Sequence, residues 1–301
     1  MPKEKTSDTE SPEVVVRPIF RPGSELIGVP EIQMVSPPGL KLMETVSPTR
    51  PAVDLKAASK VWLLSGPGGG GKTLAARWMM WRMGERGQSA MLTALDPTNR
   101  SLATWFDNVH QPESNDGAHT ARFLREFFEF LIENPQHAIV DLGAGDTALQ
   151  RTIGDVGGLQ SALEEKLGLV ACYFLTPRVD DLGILQTIER TGFQPRATLL
   201  ILNAGRADPT RPLGEQFTMI TRHSIFRAAV DRGAAVLWMP ALDSGVMQEV
   251  EAKRLDFGMA RDGLVPEDAA FPPVGGLRRH MVTYWLAQME TAFAPVAGWL
   301  P

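Results

Sequence analysis

The stretch Gly66-Pro67-Gly68-Gly69-Gly70-Gly71-Lys72-Thr73 limits what this chain can become more than any other. Five glycines in eight residues favour neither helix nor strand. Yet the stretch lies directly between the apolar run Val61-Trp62-Leu63-Leu64 and the helical pattern Leu74 to Arg82. A strand, a glycine loop and a helix in that order need a sheet for the strand and a layer to bury the helix. The spacing G-x-x-x-x-G-K-[ST] adds chemistry. Glycines let successive backbone N–H groups turn inward around an anion, and the helix N-terminus adds its positive end. Lys72 supplies a point charge, and the Thr73 hydroxyl suits a Mg²⁺ ligand. A nucleoside triphosphate needs this set; a plain glycine-rich turn is the alternative.

The rest of the chain repeats the strand and helix alternation. Apolar runs at Val61–Leu64, Ala90–Leu95, Ala138–Val140, Leu169–Leu175, Ala197–Leu202 and Ala235–Met239 are nearly continuous, as expected of strands covered on both faces. Between them, Thr73–Arg82, Ala118–Glu133, Leu159–Lys166, Asp180–Arg190, Phe217–Arg232, Val246–Phe257 and Leu277–Phe293 carry apolar residues three and four apart. The prediction is an α/β domain over residues 57–301, with a mainly parallel sheet covered by helices on both faces. Ligands then bind at the carboxyl ends of the strands. Residues 1–56 read differently. Nine of the chain's 23 prolines fall there, from Pro2 to Pro51, with charges of both signs between short apolar patches. That spacing opposes helices and central strands, so the expectation is a disordered Pro-rich tail or a tethered partner-binding segment.

Composition narrows the setting. The 301 residues are 44% hydrophobic, enough for a substantial core, and no run approaches the roughly 18 apolar residues of a membrane span. Met1 to Asp8 carries no apolar signal core, which makes the cytoplasm the default compartment. The single cysteine, Cys172, sits inside an apolar run and reads as a small buried hydrophobe. A net charge of −5 argues against a protein dominated by nucleic-acid binding.

Two aspartates end apolar runs. Asp141, followed by Leu142-Gly143-Ala144-Gly145, is placed to associate with Mg²⁺ through water, and its glycines suit a backbone that approaches a γ-phosphate and moves when it leaves. Asp96, in Leu95-Asp96-Pro97-Thr98-Asn99, either orients an attacking water or starts an ordinary turn.

Together these motifs resemble the ParA/MinD family of P-loop ATPases over roughly residues 60 to 260. In the resemblance, Gly66–Thr73 matches the phosphate loop, Asp96-Pro97 the first switch and Asp141 to Gly145 the D-x-x-x-G second switch. Thr176-Pro177 resembles the family's threonine-proline segment, Asn203 falls at its adenine-reading asparagine, and Met239-Pro240 resembles the loop that closes the base pocket. This implies ATP and Mg²⁺ as cofactors, with contacts from Gly66, Gly68, Gly69, Gly70, Gly71, Lys72, Thr73, Leu74, Gly145, Asn203 and Pro240. It implies Thr73 and, through water, Asp141 at the metal, and Lys72, Asp96 and Asp141 in catalysis. It also implies a slow, partner-stimulated ATPase that dimerises with ATP in plasmid partition, conjugative transfer or cargo positioning. One position departs. The family's second lysine, which reaches the partner's nucleotide across the dimer, is Pro67 here, so the chain uses another cation in trans, hydrolyses slowly or does not form the usual dimer; Arg77, Arg100 and Arg178 are candidate substitutes, though each reads more readily as a solvated surface arginine.

Other chemistries fit less well. A bridging Fe–S cluster needs two cysteines per subunit, and a GTPase wants N-K-x-D where this chain has Asn203-Ala204-Gly205-Arg206. The five histidines form no metal-binding spacing. A small-molecule kinase or ligase of the same class, and an ATP-holding scaffold, remain alternatives. For partners, a protein is expected and DNA is possible through Lys253, Arg254, Arg261, Arg278 and Arg279. A membrane surface is the weaker reading of Leu277–Phe293, whose apolar stripe suits packing on the sheet. Trp78 and Trp81 read as core or dimer interface.

Overall fold

The computed structural model describes residues 53–55, 59–96, 101–143 and 147–300. The expected tail therefore lies outside the described residues apart from Val53, Asp54 and Leu55. Those three are tied to the domain, since the Val53 carbonyl accepts the Trp299 indole N–H at 2.8 Å.

The strands are β1 (Lys60–Ser65), β2 (Met91–Ala94), β3 (Val109–His110), β4 (Ala138–Asp141), β5 (Gly168–Leu175), β6 (Ala197–Asn203) and β7 (Ala235–Met239). They form a seven-stranded sheet of order β3-β2-β4-β1-β5-β6-β7 in which each described pairing is parallel. The helices are α1 (Lys72–Gly84), α2 (Gly117–Glu133), α3 (Ala148–Asp155), α4 (Leu159–Lys166), α5 (Leu182–Glu189), α6 (Leu213–Thr221), α7 (Ser224–Asp231), α8 (Ser244–Ala252), α9 (Phe257–Asp262) and α10 (Gly276–Phe293).

Strand pleating divides the core in two. Val61 and Leu63 join Leu169, Ala171, Tyr173 and Leu175 on the face covered by α2 to α7. Trp62 and Leu64 join Val170, Cys172 and Phe174 on the face covered by α1, α8, α9 and α10. All eight residues of β5 are buried, which is why its sequence is apolar without alternation. Cys172 is buried as expected, and burial pushes its thiol pKa upward, away from reactivity. The predicted α/β class holds, and the domain is P-loop NTPase-like: a glycine loop follows the central strand β1 and opens α1.

Two expected helices are each split. The pattern Phe217–Arg232 breaks at His223, whose backbone is extended and whose Nδ1 accepts the Ile225 N–H, capping α7. The pattern Val246–Phe257 breaks after Ala252. There Arg254 takes a positive φ of 50° and the Leu255 N–H returns to the Val250 carbonyl at 3.1 Å, a helix-ending motif usually made with glycine. Asp256 then caps α9 by accepting the Met259 N–H at 2.8 Å. Neither α3 nor the two-residue β3 was expected; β3 is too short to leave a pattern.

Candidate functional site

Parallel pairing brings the carboxyl end of each strand to one edge of the sheet, and the register aligns them closely. Leu64 and Ala94 both pair with Asp141, Ser65 pairs with Tyr173, and Asn203 pairs with Met239. Along that edge lies a cleft of about 780 Å³. It is lined by Gly68, Gly69, Gly70, Gly71, Lys72, Thr73 and Leu74, by Asp96 and Asp141 on the β2 and β4 side, and by Asn203 and Pro240 on the β6 and β7 side. Gly66 is buried and does not line it. Gly145, with Pro97 and Arg100, lies outside the described residues.

Backbone geometry explains the loop's composition. Gly66 has φ 148°, and a Cβ there would lie 2.7 Å from the Phe174 carbonyl oxygen. Gly71 has φ 106°, and a Cβ there would lie 2.5 Å from both the Asn203 amide nitrogen and the Met239 methyl carbon. Gly71 is also the N-cap of α1, which has no side-chain cap and no acidic residue in its first turn. The helix N-terminus is thus left with donors for an anion instead of for its own cap.

Lys72 is buried, only 7% exposed, and its ammonium donates to the carbonyls of Gly66 at 2.9 Å and Pro67 at 3.2 Å. Burial pulls its pKa below the ordinary lysine value, against the opposing pull of Asp141 and then Asp96. Asp141 is equally buried and accepts the Gly143 N–H at 3.0 Å. Burial raises its carboxyl pKa, with Lys72 the largest opposing influence and Asp96 adding to the rise. A lysine and a carboxylate whose charged forms are both disfavoured by burial gain most from a ligand that brings both anion and cation. The donor set fits Mg²⁺, which prefers oxygen ligands and usually takes one or two carboxylates, phosphate oxygens and waters. Thr73 would hold it directly and Asp141 through water. In this structure the Thr73 hydroxyl donates to Ser101 Oγ at 3.1 Å.

Asn203 is buried with both polar ends engaged. Its amide donates to the Gly70 carbonyl at 2.7 Å, and its Oδ1 accepts the Gly205 N–H at 2.9 Å. It therefore ties the end of β6 to the phosphate loop. Pro240 faces the cleft and its carbonyl accepts the Trp285 indole N–H at 3.0 Å. Thr176 instead donates its N–H and hydroxyl to Asp181 Oδ2 at 2.7 and 2.6 Å. Sequence reasoning missed Ser101, Trp105 and Arg206 as cleft residues. The Asn203-Ala204-Gly205-Arg206 segment was the available signal for Arg206.

The substitute cations fare unevenly. Arg77 is buried, not a surface arginine; its guanidinium stacks 3.4 Å from the Trp105 ring centre and donates to the Leu255 carbonyl at 3.2 Å. Burial brings its pKa down to about 10, Glu251 opposing. Arg178 is exposed beside Asp180. The basic set near α8 to α10 is interleaved with acids: Glu249 pairs with Lys253 and Arg278, and Arg261 pairs with Glu85 and Asp262. The stripe Val282, Trp285, Leu286, Met289 and Phe293 of α10 is buried in the core, as is Trp78, while Trp81 is half-buried. Among the described residues no helix is long and apolar enough to cross a membrane.

No protein-family model matches the chain, and no curated protein matches it. Among solved structures it is similar to the MinD cell division protein of Aquifex aeolicus, at 14% identity and a TM-score of 0.39, over 76% of this chain and 97% of that one. It is similar to FtsY of Mycoplasma mycoides at 12% identity and a TM-score of 0.37, over 57% of this chain and 59% of that one. It is also similar to the signal recognition particle receptor FtsY of Elizabethkingia anophelis, in complex with GDP, at 11% identity and a TM-score of 0.38, over 62% and 58%. The chain thus spans less than two thirds of either FtsY chain. Likeness at this level carries neither ligand nor role, so the reading rests on the cleft itself.

Proposed function

We propose that this protein is an ATP-binding and ATP-hydrolysing switch of the ParA/MinD type, whose nucleotide state governs self-association and grip on a protein partner. The observation that carries this reading is the convergence of Lys72, Thr73, Asp96 and Asp141 on one cleft beside the uncapped N-terminus of α1. Lys72 and the loop N–H groups hold the β- and γ-phosphates, Thr73 and Asp141 keep Mg²⁺, and Asp96 aligns the attacking water. When bound, Mg²⁺ would supply positive charge to the phosphate oxygens held by these residues.

ATP is preferred to GTP because Arg206 stands where a guanine-reading carboxylate belongs. Slow hydrolysis follows from Pro67, which offers no charge to a second subunit. The expected roles are plasmid partition, conjugative transfer or cargo positioning, in the cytoplasm.

Titration calorimetry with Mg·ATP tests the core of this. Wild type binds, and Lys72→Ala weakens binding by about 10- to 100-fold, the worth of a charge-assisted contact in a partly dehydrated site. Equal affinity for ATP and GTP would reject the base assignment.

A further inference from the structure

We propose that Arg206 is a phosphate-binding residue of this cleft, holding the α- and β-phosphates of a bound nucleotide from the β6 side within the same chain. The inference rests on the nucleotide-site reading above and deepens it. Three observations carry it. First, position: a Cβ placed on Gly69 would lie 3.5 Å from Arg206 Nη2 and 3.7 Å from its Cζ, so the guanidinium lies against the middle of the phosphate loop, on the cleft wall. Second, anchorage: Arg206 closes the single 3-10 turn Ala204–Arg206, and Asn203 accepts the Gly205 N–H while donating to the Gly70 carbonyl. One side chain thus fixes the arginine's turn and the loop to each other, and the guanidinium stays in register with the phosphates. Third, chemistry: the side chain is exposed and makes no ion pair or hydrogen bond among the described residues, although 13 other basic–acidic pairs form. An arginine fork held at a phosphate loop without a carboxylate partner matches the bidentate geometry of phosphate oxygens.

The place of Arg206 also sets which phosphates it reaches. Asp96, just after β2, and Asp141, the last residue of β4, lie on the β2 and β4 side of the loop, where Mg²⁺ and the γ-phosphate belong, whereas Arg206 follows β6 on the other side of β1. It therefore contributes to ADP and ATP binding alike, and it supplies in cis a charge that Pro67 cannot. Its role is affinity, not the transfer step.

Calorimetry with ADP, using the full chain as wild type, Arg206→Gln and Arg206→Lys, tests the proposal. Arg206→Gln weakens ADP binding about tenfold, as expected for one charge-assisted contact at a solvent-exposed rim. Arg206→Lys recovers part of the loss, and raised KCl narrows the gap between wild type and Arg206→Gln. Melting temperature without nucleotide stays at the wild-type value, because the side chain is unpaired. Unchanged ADP affinity in Arg206→Gln overturns the proposal, as does a loss that is insensitive to salt and accompanied by a lowered melting temperature. A wild type that binds neither ADP nor ATP would instead overturn the nucleotide-site reading. If Arg206→Gln does not fold, the wild-type versus Arg206→Lys comparison at two salt concentrations decides: no difference in ADP affinity at low salt rejects the bidentate contact.

Discussion

Single residues carry the chemistry of the cleft, and several of them oppose stability there. Asp141 is buried with a raised pKa, so its native form holds a proton more readily than the unfolded chain does. Stability therefore falls as pH rises from the unfolded carboxylate value, about 3.9, through the raised native value. Asp141→Asn keeps an oxygen for the Gly143 N–H and removes the buried charge. The variant without nucleotide is expected to melt at or above the wild-type temperature at neutral pH, and the difference vanishes below the carboxylate range. Melting curves from about pH 2.5 to pH 8 show this, while Mg-dependent ATP affinity and hydrolysis fall. Asp96→Ala should leave ATP bound but not hydrolysed; parental turnover would reduce Asp96 to the start of a turn. Asn203→Ala acts oppositely to Asp141→Asn. It leaves the Gly70 carbonyl and Gly205 N–H without their partner, and should cost about 1–3 kcal/mol in denaturant unfolding.

At the scale of elements, the glycine loop, α1 and the strand ends behave as one unit. Gly71→Ala would force a Cβ into the Asn203 amide and the Met239 methyl group at a φ that side chains rarely adopt. A loss of about 2 kcal/mol or more, with nucleotide affinity lost in the same variant, is expected from calorimetry and thermal melts. This unit was legible in the sequence because its chemistry is local: the motif spacing, the apolar run before it and the helical pattern after it all fall within about one strand–loop–helix unit. Most strands were legible for a related reason, since burial on both faces leaves continuous apolar runs. What stayed hidden depends on partners far along the chain or on unusual caps. Arg254 ends α8 in a conformation normally marked by glycine, and His223 caps α7 through a ring nitrogen, so neither break was signalled. Arg77 looked like a surface arginine because its stacking on Trp105 and its bond to Leu255 join residues distant in sequence. Asn203 showed its position at a strand end but not its grip on Gly70, 133 positions away.

At the scale of the whole molecule, the sheet edge brings the glycine loop, Asp96, Asp141 and the β6–β7 wall into one cleft, and the proposed switch reads nucleotide state out as assembly. A cation missing in trans should lower rate more than assembly, because charge supplied to a transferring phosphoryl group is worth about 10³–10⁵ in turnover where a system depends on it. Pro67→Lys preserves the carbonyl that accepts from Lys72 and adds the charge, so hydrolysis per subunit should rise, more so at high protein concentration. A steady-state phosphate-release assay across protein concentrations checks this. The most direct measurement is sedimentation velocity of the wild type with Mg²⁺ and a non-hydrolysable ATP analogue, compared with ADP and with no nucleotide. A dimer is expected with the analogue and a monomer in the other two states. A monomer in all three states at every concentration would contradict it.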